Sequence, residues 1–379
     1  MKNILIQTRN ILIRAIYKGI LKPILFMFDP EDVHDHIIKI GNYLGKYKLT
    51  RKITSCLFNY NNSKLEQNIL GITFRNPIGL AAGFDKNGEL TQILGSVGFG
   101  FAEIGSITGE VCNGNPKPRL WRLKKSRSLA VNYGLKNDGA EILSKKLLDR
   151  KFDIPIGINI AKTNSIETVD DKVGIEDYFK TYNLFSDQGS FVVINISCPN
   201  AYGGQPFTDE NRLNLLLAKL SSIPKRKPVF IKISPDITKE NLENIIELAY
   251  IYKLDGFICT NLTKNRKNKK ILDKEVPQVG GLSGKVVEDL SLQSIKYIYK
   301  KISTEEKYKN KFIIIGLGGV FCASDVFEKI KAGASLVELI TGMIYEGPEL
   351  ISEINYELVK LLDKNGFNNI KEAIGKDSD

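Results

Sequence analysis

The chain has 379 residues, 42% of them hydrophobic and 26% charged, with a net charge of +11. This is the composition of a soluble globular protein large enough for one domain plus an extension, and it excludes collagen, coiled coil and disorder. The lysines are dispersed through helices and loops without forming a groove-like block, which argues against nucleic-acid binding and reads as solvated surface, with a mild attraction to anionic lipid or substrate as the functional alternative.

The first 28 residues carry Lys2, Arg9, Arg14, Lys18 and Lys22 among Ile, Leu, Phe and Met, with no acidic residue before Asp29. They lack the uninterrupted apolar core and small-residue cleavage site of a signal peptide. The charges also break any run of roughly 20 apolar residues that a transmembrane helix needs. The pattern predicts a basic amphipathic helix, either lying at a membrane surface or packing its apolar side on the domain. Pro23 is expected to separate it from a second helix, begun by the Asp29-Pro30-Glu31 cap and running through about Tyr47. Residues 1–50 are therefore assigned to a helical extension and 51–379 to a catalytic domain.

After a polar connector around Asn59 to Lys64, one theme repeats: a short buried-strand pattern, a loop of special residues, a helical pattern. The strands are expected at Pro77 to Ala81, Phe101 to Ser106, Ile156 to Ala161, Phe191 to Ser197, Val229 to Ser234, Gly256 to Asn261, Phe312 to Gly319 and Leu336 to Gly342. Amphipathic segments fall between most of them, at Gly139 to Arg150, Asn211 to Leu220, Lys239 to Tyr252, Val286 to Lys301 and Ala323 to Ala332. Eight strand-then-helix units predict a (β/α)8 TIM barrel, an α/β fold. The competitor, a doubly wound open sheet, would show a Gly-x-Gly-x-x-Gly turn after its first strand, and that turn is missing.

Barrels of this kind place their chemistry at the C-terminal strand ends, and there the unusual residues collect. The first strand runs into Ala82-Gly83-Phe84-Asp85-Lys86, the second ends at Ser106, the third at Asn159 to Lys162 and the fifth at Lys232; the sixth ends at Thr260 and Asn261, the seventh in Gly316-Leu317-Gly318-Gly319, the eighth at Thr341-Gly342. The fourth is the hub: the apolar run from Phe191 stops abruptly in Asn195-Ile196-Ser197-Cys198-Pro199-Asn200. The five cysteines (Cys56, Cys112, Cys198, Cys259, Cys322) have no paired spacing and read as reduced thiols of a cytosolic compartment, with no metal site.

The glycine turns of the last two strands suit a phosphate held by backbone N–H groups. Lys232 in an apolar strand is costly unless it meets an anion or a ligand. A cation beside the pyrimidine edge of a flavin would stabilise its two-electron-reduced form, so Lys232 favours flavin; pyridoxal phosphate, with Lys232 or Lys86 as Schiff base, is the alternative. Against a flavin, the Cys198 thiolate would take a proton from a substrate carbon as hydride leaves its neighbour, and its pKa is expected to be lowered by nearby donors or cations.

Taken together, Ala82-Gly83-Phe84-Asp85-Lys86, Glu103-Ile104-Gly105-Ser106, Gly157-Ile158-Asn159-Ile160, Asn195 to Asn200, Gly280-Gly281-Leu282-Ser283-Gly284 and Gly316-Leu317-Gly318-Gly319 resemble dihydroorotate dehydrogenase, in order and over nearly the whole chain. The helical extension, with Asp29-Pro30-Glu31 and His34, resembles that of the quinone-dependent class. The resemblance implies a flavin mononucleotide (FMN) enzyme that oxidises dihydroorotate to orotate in pyrimidine biosynthesis and passes electrons to a quinone. It also implies a peripheral place on the cytoplasmic side of the cell membrane. By the same resemblance the flavin is held by Ala82, Gly83, Lys86, Ser106, Asn159, Asn195, Lys232, Thr260, Gly284, Gly319, Ile340 and Thr341. Substrate meets Lys86, Asn195, Asn200, Asn261 and Leu262, with Asn132, Tyr133, Gly134 and Leu135 closing over it. His34 and Arg122 belong to the quinone site, and Cys198 is the base.

Three positions depart from the quinone-dependent pattern: Cys198 stands where serine is usual, Val131-Asn132-Tyr133-Gly134-Leu135 where Asn-Arg-x-Gly-Phe is usual, and Ile340 where tyrosine is usual. A cysteine base is the habit of the soluble class, so the same half-reaction with fumarate or NAD as acceptor, in a cytoplasmic enzyme, is the alternative. A flavin-binding scaffold without catalysis is the other.

Overall fold

The eight runs form eight parallel strands: β1 (Ile78–Leu80), β2 (Phe101–Ile107), β3 (Ile156–Ile160), β4 (Phe191–Asn195), β5 (Val229–Ile233), β6 (Gly256–Cys259), β7 (Ile313–Leu317) and β8 (Leu336–Leu339). Each pairs with the next in the chain, and β8 pairs with β1 to close the ring. In this computed structural model, which describes residues 2–378, helices follow the strands and cover the outside, so the chain is a (β/α)8 barrel. Both faces of every strand are buried, which is why the runs read as continuously apolar.

Alternation along the strands sends one set of side chains outward to the helices and the other into the ring. At the N-terminal end the inward set is aromatic. The rings of Phe101 and Phe191 lie 6.4 Å apart and those of Phe191 and Phe230 5.5 Å apart. Phe74 reaches Phe101 at 5.4 Å from a hairpin, Gln67–Ile69 with Ile72–Phe74, that the sequence reading had passed over. Gly79 and Gly157 make room for this layer: a Cβ on them would stand 2.3 Å from the Phe101 ring and 2.2 Å from the Phe191 ring. The bottom of the barrel is thereby plugged, and the polar inward residues Glu103, Lys232 and Glu338 occupy the next layer up.

Over the C-terminal end lies a second unanticipated element, a three-stranded antiparallel sheet of Leu120–Leu123, Ser128–Val131 and Gly281–Gly284. The extension packs beside it as α1 (Lys2–Ile16), a π-helical turn (Tyr17–Leu21), α2 (Lys22–Leu25), α3 (Pro30–Lys46) and α4 (Lys48–Phe58). Two expectations are corrected here. Pro23 does not end the first helix; the wider π turn bonds Lys22 N to Tyr17 O and leaves proline in the first turn of α2, where its missing N–H is tolerated. The boundary at 50/51 falls inside α4, so the helical extension continues to Phe58. The cap of α3 is as read: the Asp29 side chain accepts from Glu31 N and Asp32 N.

The orientation of α1 is the reverse of a cation-led membrane helix. Its Arg9 and Arg14 turn to the protein, Arg9 donating to Cys56 O and Asn59 O and Arg14 pairing with Glu349 and Glu353, and Lys18 in the π turn pairs with Glu346. Its apolar residues Ile4, Leu5, Ile11, Leu12 and Ile16 face outward. Glu31 on α3 is buried and paired with Arg119, at 3.0 Å and 2.8 Å through two separate guanidinium nitrogens, which ties the extension to the segment leading into the capping sheet.

Gly157→Ala should lower the thermal midpoint, because overpacking against Phe191 costs about 1–3 kcal/mol. An unchanged midpoint by calorimetry would show that the aromatic layer yields freely.

Candidate active site

A single cavity runs from the polar layer inside the barrel, up between the strand ends and the capping sheet, to the inner side of α3. Most residues singled out in the sequence line it. Ala82, Gly83 and Lys86 come from the loop after β1, Ser106 from β2, and Asn195, Cys198 and Asn200 from β4 and its loop. Lys232, Thr260, Asn261 and Leu262 come from β5 and the end of β6; Gly284, Gly319, Ile340 and Thr341 close the far side. Tyr133, Gly134 and Leu135 form part of the roof, and His34 lies at the end towards the extension.

The loop after β1 is shaped by Asp85, whose buried carboxylate accepts Glu89 N at 2.7 Å and Leu90 N at 2.8 Å. Next to it Lys86 turns into the cavity over the Tyr133 ring, 4.1 Å from its centroid. Burial pulls the Lys86 ammonium down to about 8. Burial and the cation of Lys86 hold His34 down to about 4, so its ring is neutral. Its Nε2 lies 2.8 Å from Phe84 O and its Nδ1 3.1 Å from Asp35 Oδ1, two acceptors of which the neutral ring can donate to one.

A chain of amides crosses the floor. Asn195 Nδ2 donates to Ser106 Oγ at 2.9 Å, and Asn261 Nδ2 donates to Asn195 Oδ1 at 3.3 Å and to Ser197 Oγ at 3.1 Å. Below them Lys232 Nζ donates to Glu103 Oε2 at 2.9 Å. Glu103, and Glu338 beside it, had not been read as part of the site; the signal available was a carboxylate inside each of two apolar strands, Phe-Ala-Glu103-Ile and Leu-Val-Glu338-Leu.

Four expectations are corrected. Asn159 does not line the cavity: it is fully buried, its Nδ2 donates to Glu103 Oε2 at 3.2 Å and its carbonyl accepts from Ser106 Oγ, so it acts one layer behind the surface. Asn132 faces a separate outer groove with Lys264 and Arg266, because alternation along the strand edge turns Val131 and Tyr133 inward and Asn132 away. Arg122 lies outside the cavity wall, donating to Phe28 O at 2.8 Å with its guanidinium 4.6 Å from the Phe26 ring. Cys198 is pushed up to about 11 by burial, which outweighs the lowering by the backbone N–H of Asn200 and by the Lys162 cation, so the expected depression is absent. Also unanticipated were the apolar walls towards the extension, formed by Leu120, Leu129, Phe321 and Ile344.

The family model for dihydroorotate dehydrogenase matches residues 64–362. The chain belongs to the dihydroorotate dehydrogenase family. Among curated relatives, the dihydroorotate dehydrogenase (quinone) of Trichormus variabilis is 38% identical over 95% of this chain and 98% of its own length. That of Natronomonas pharaonis is 37% identical over 94% and 98%. A crystal structure of the dihydroorotate dehydrogenase of Eimeria tenella in complex with ferulenol is 31% identical and superposes with a TM-score of 0.80, covering 92% of this chain and 96% of that one.

The raised Cys198 pKa has a direct test. Its alkylation by iodoacetamide, followed by peptide mass spectrometry, should accelerate about tenfold per pH unit from about pH 8 to about pH 10, as the thiolate fraction grows. A rate that levels off near neutral pH would contradict the burial argument.

Proposed function

We propose that this protein is a quinone-dependent dihydroorotate dehydrogenase, oxidising dihydroorotate to orotate in pyrimidine biosynthesis with FMN in the barrel cavity. The observation that carries this reading is the convergence of Lys86, Cys198 and Lys232 on one cavity that continues, along apolar walls, to the helical extension. A lipid-soluble acceptor suits such a passage better than fumarate or NAD, whose charges would be desolvated in it.

The residues present fit a flavin phosphate and ring. Gly318 and Gly319 have φ of 119° and 74°, a backbone that lets N–H groups face a close ligand, and Gly83 would leave even an added Cβ without a neighbour within 4 Å. Among the described residues the buried Asn200 Oδ1 and Tyr133 Oη lack hydrogen-bond partners, as expected of groups awaiting a ligand. When bound, FMN supplies a two-electron acceptor for hydride from the substrate and a donor to quinone. Gly284, Gly319 and Thr341 would hold its phosphate end, and Ala82, Gly83, Ser106, Asn195, Lys232 and Thr260 its ring. Lys86, Asn195, Asn200 and Asn261 would clamp the carboxylate and amides of dihydroorotate under Tyr133, Gly134 and Leu135. Cys198 takes the proton from the carbon next to the one that loses hydride. Its thiol is the predominant form at neutral pH, so the base is generated only as a minor thiolate population and the half-reaction should speed up as pH rises towards about 11.

Stopped-flow mixing of the holoprotein with dihydroorotate should bleach the flavin, and a soluble quinone analogue should restore its colour; restoration by fumarate or NAD alone would replace quinone as acceptor. In Cys198→Ala the bleaching should slow by roughly 10² to 10⁴, the usual contribution of a general base. An unaltered rate would place the base elsewhere.

The extension would seat the protein on the membrane by apolar contact. Among the described residues no helix is long and apolar enough to cross a membrane. Its exposed apolar side instead continues from α1 through Ile20, Ile24, Met27 and Phe28 to Ile40, Leu49 and Ile53. Because Arg14 and Lys18 pair with the barrel, neutral phosphatidylcholine vesicles should bind the protein. Replacing Ile11 and Leu12, each 60% exposed, by Asp should weaken that binding about tenfold or more. Binding that required anionic lipid, or that ignored the double substitution, would refute this seating.

A further inference from the structure

The barrel interior holds three ionisable side chains that face one another: Glu103 on β2, Lys232 on β5 and Glu338 on β8, exposed 0%, 3% and 0%. Lys232 Nζ is 2.9 Å from Glu103 Oε2 and 3.9 Å from Glu338 Oε2. Further donors go to the same oxygen of Glu103, from Asn159 Nδ2 at 3.2 Å and Ala82 N at 3.4 Å. Among the described residues, neither oxygen of Glu338 and not Oε1 of Glu103 has a hydrogen-bond partner.

One ammonium cannot balance two carboxylates sealed from water, and two like charges so placed retain a proton between them. Every donor in the layer converges on Glu103, which marks it as the ionised member. Glu338, with no donor of its own, is left as the acid. Consistent with this, burial and then the neighbouring Glu103 hold the Glu338 carboxyl well above the usual carboxylate range, against the pull of Lys232.

We propose that Glu338 is a neutral carboxylic acid that donates its proton as a hydrogen bond to Glu103 and so holds Glu103 as the single anion that orients Lys232 towards the cavity. Glu338 is thus a positioning residue for Lys232, and its effect on cofactor binding rests on the flavin reading above, whereas its protonation does not. An amide in its place keeps a hydrogen-bond donor and the same charge. An apolar side chain leaves Glu103 short of one donor and free to turn.

The test compares E338Q and E338L with the wild type in two measurements. Infrared spectra of wild type minus E338Q at neutral pH should contain the carbonyl stretch of a protonated carboxyl, shifted in D2O. The dissociation constant of FMN should stay within about twofold of wild type in E338Q and rise about tenfold in E338L, the size of one lost buried hydrogen bond. Absence of the acid band overturns the proposal. So does an E338Q that binds FMN as poorly as E338L, since the charge would then be what matters, or an E338L that binds it as the wild type does. Should E338L fail to fold, the band and the E338Q affinity decide. The band is also read in flavin-free protein, so a wild type that binds no FMN would sink the flavin reading while leaving the shared proton to the infrared result.

Discussion

The contact between Lys232 and Glu103 is the constraint around which the site is built. A buried ammonium inside a barrel, with an aromatic layer beneath it, persists only with an anion in direct contact. That anion in turn gathers Asn159 from β3 and the backbone N–H of Ala82 after β1, so four neighbouring regions of the ring are drawn to one oxygen. The Phe74, Phe101, Phe191 and Phe230 layer below makes the arrangement stable by keeping that end dry. The cavity above is where Lys232 can meet a ligand, and its position is inherited from the packing of the floor.

The extension adds a second set of paired charges with the opposite consequence outside. Arg14 and Lys18 are turned towards Glu346, Glu349 and Glu353, and Glu31 is held by Arg119, so the helices lock to the barrel through their polar sides. What remains outward is apolar. The same packing leaves apolar walls, among them Leu120, Leu129 and Ile344, along the part of the cavity that faces α3. The proposed membrane seating and the proposed access for a lipid-soluble acceptor would thus follow from one packing arrangement.

The departures from the quinone-dependent pattern acquire physical content in this setting. Ile340 stands in the cavity wall as an apolar residue, which keeps the passage suited to a quinone without a phenolic hydroxyl. Cys198 is a thiol in surroundings that disfavour its anion, so it behaves more like the serine it replaces than like an activated thiolate. In the segment from Val131 to Leu135 it is Tyr133, not Asn132, that lies over the cavity, with Lys86 against its ring.

Strand number, strand order and the clustering of polar residues at strand ends were legible in the chain, because periodicity and turn chemistry are local and the barrel rule converts them into one rim. Lys86, Cys198 and Lys232 could be placed together on that ground alone. The hairpin under the barrel and the capping sheet were not legible: their strands are three or four residues long, too short to show a period, and the third capping strand, Gly281–Gly284, joins from far away in sequence. Which carboxylate meets Lys232, where Arg122 and Asn132 point, and which way α1 turns its charges all depend on distant partners. So does the Cys198 pKa, since the burial that raises it exists only once the loops have closed. Sequence determined the ring and the chemical types on its rim; tertiary packing decided which of those groups are charged, which are covered, and which face a ligand.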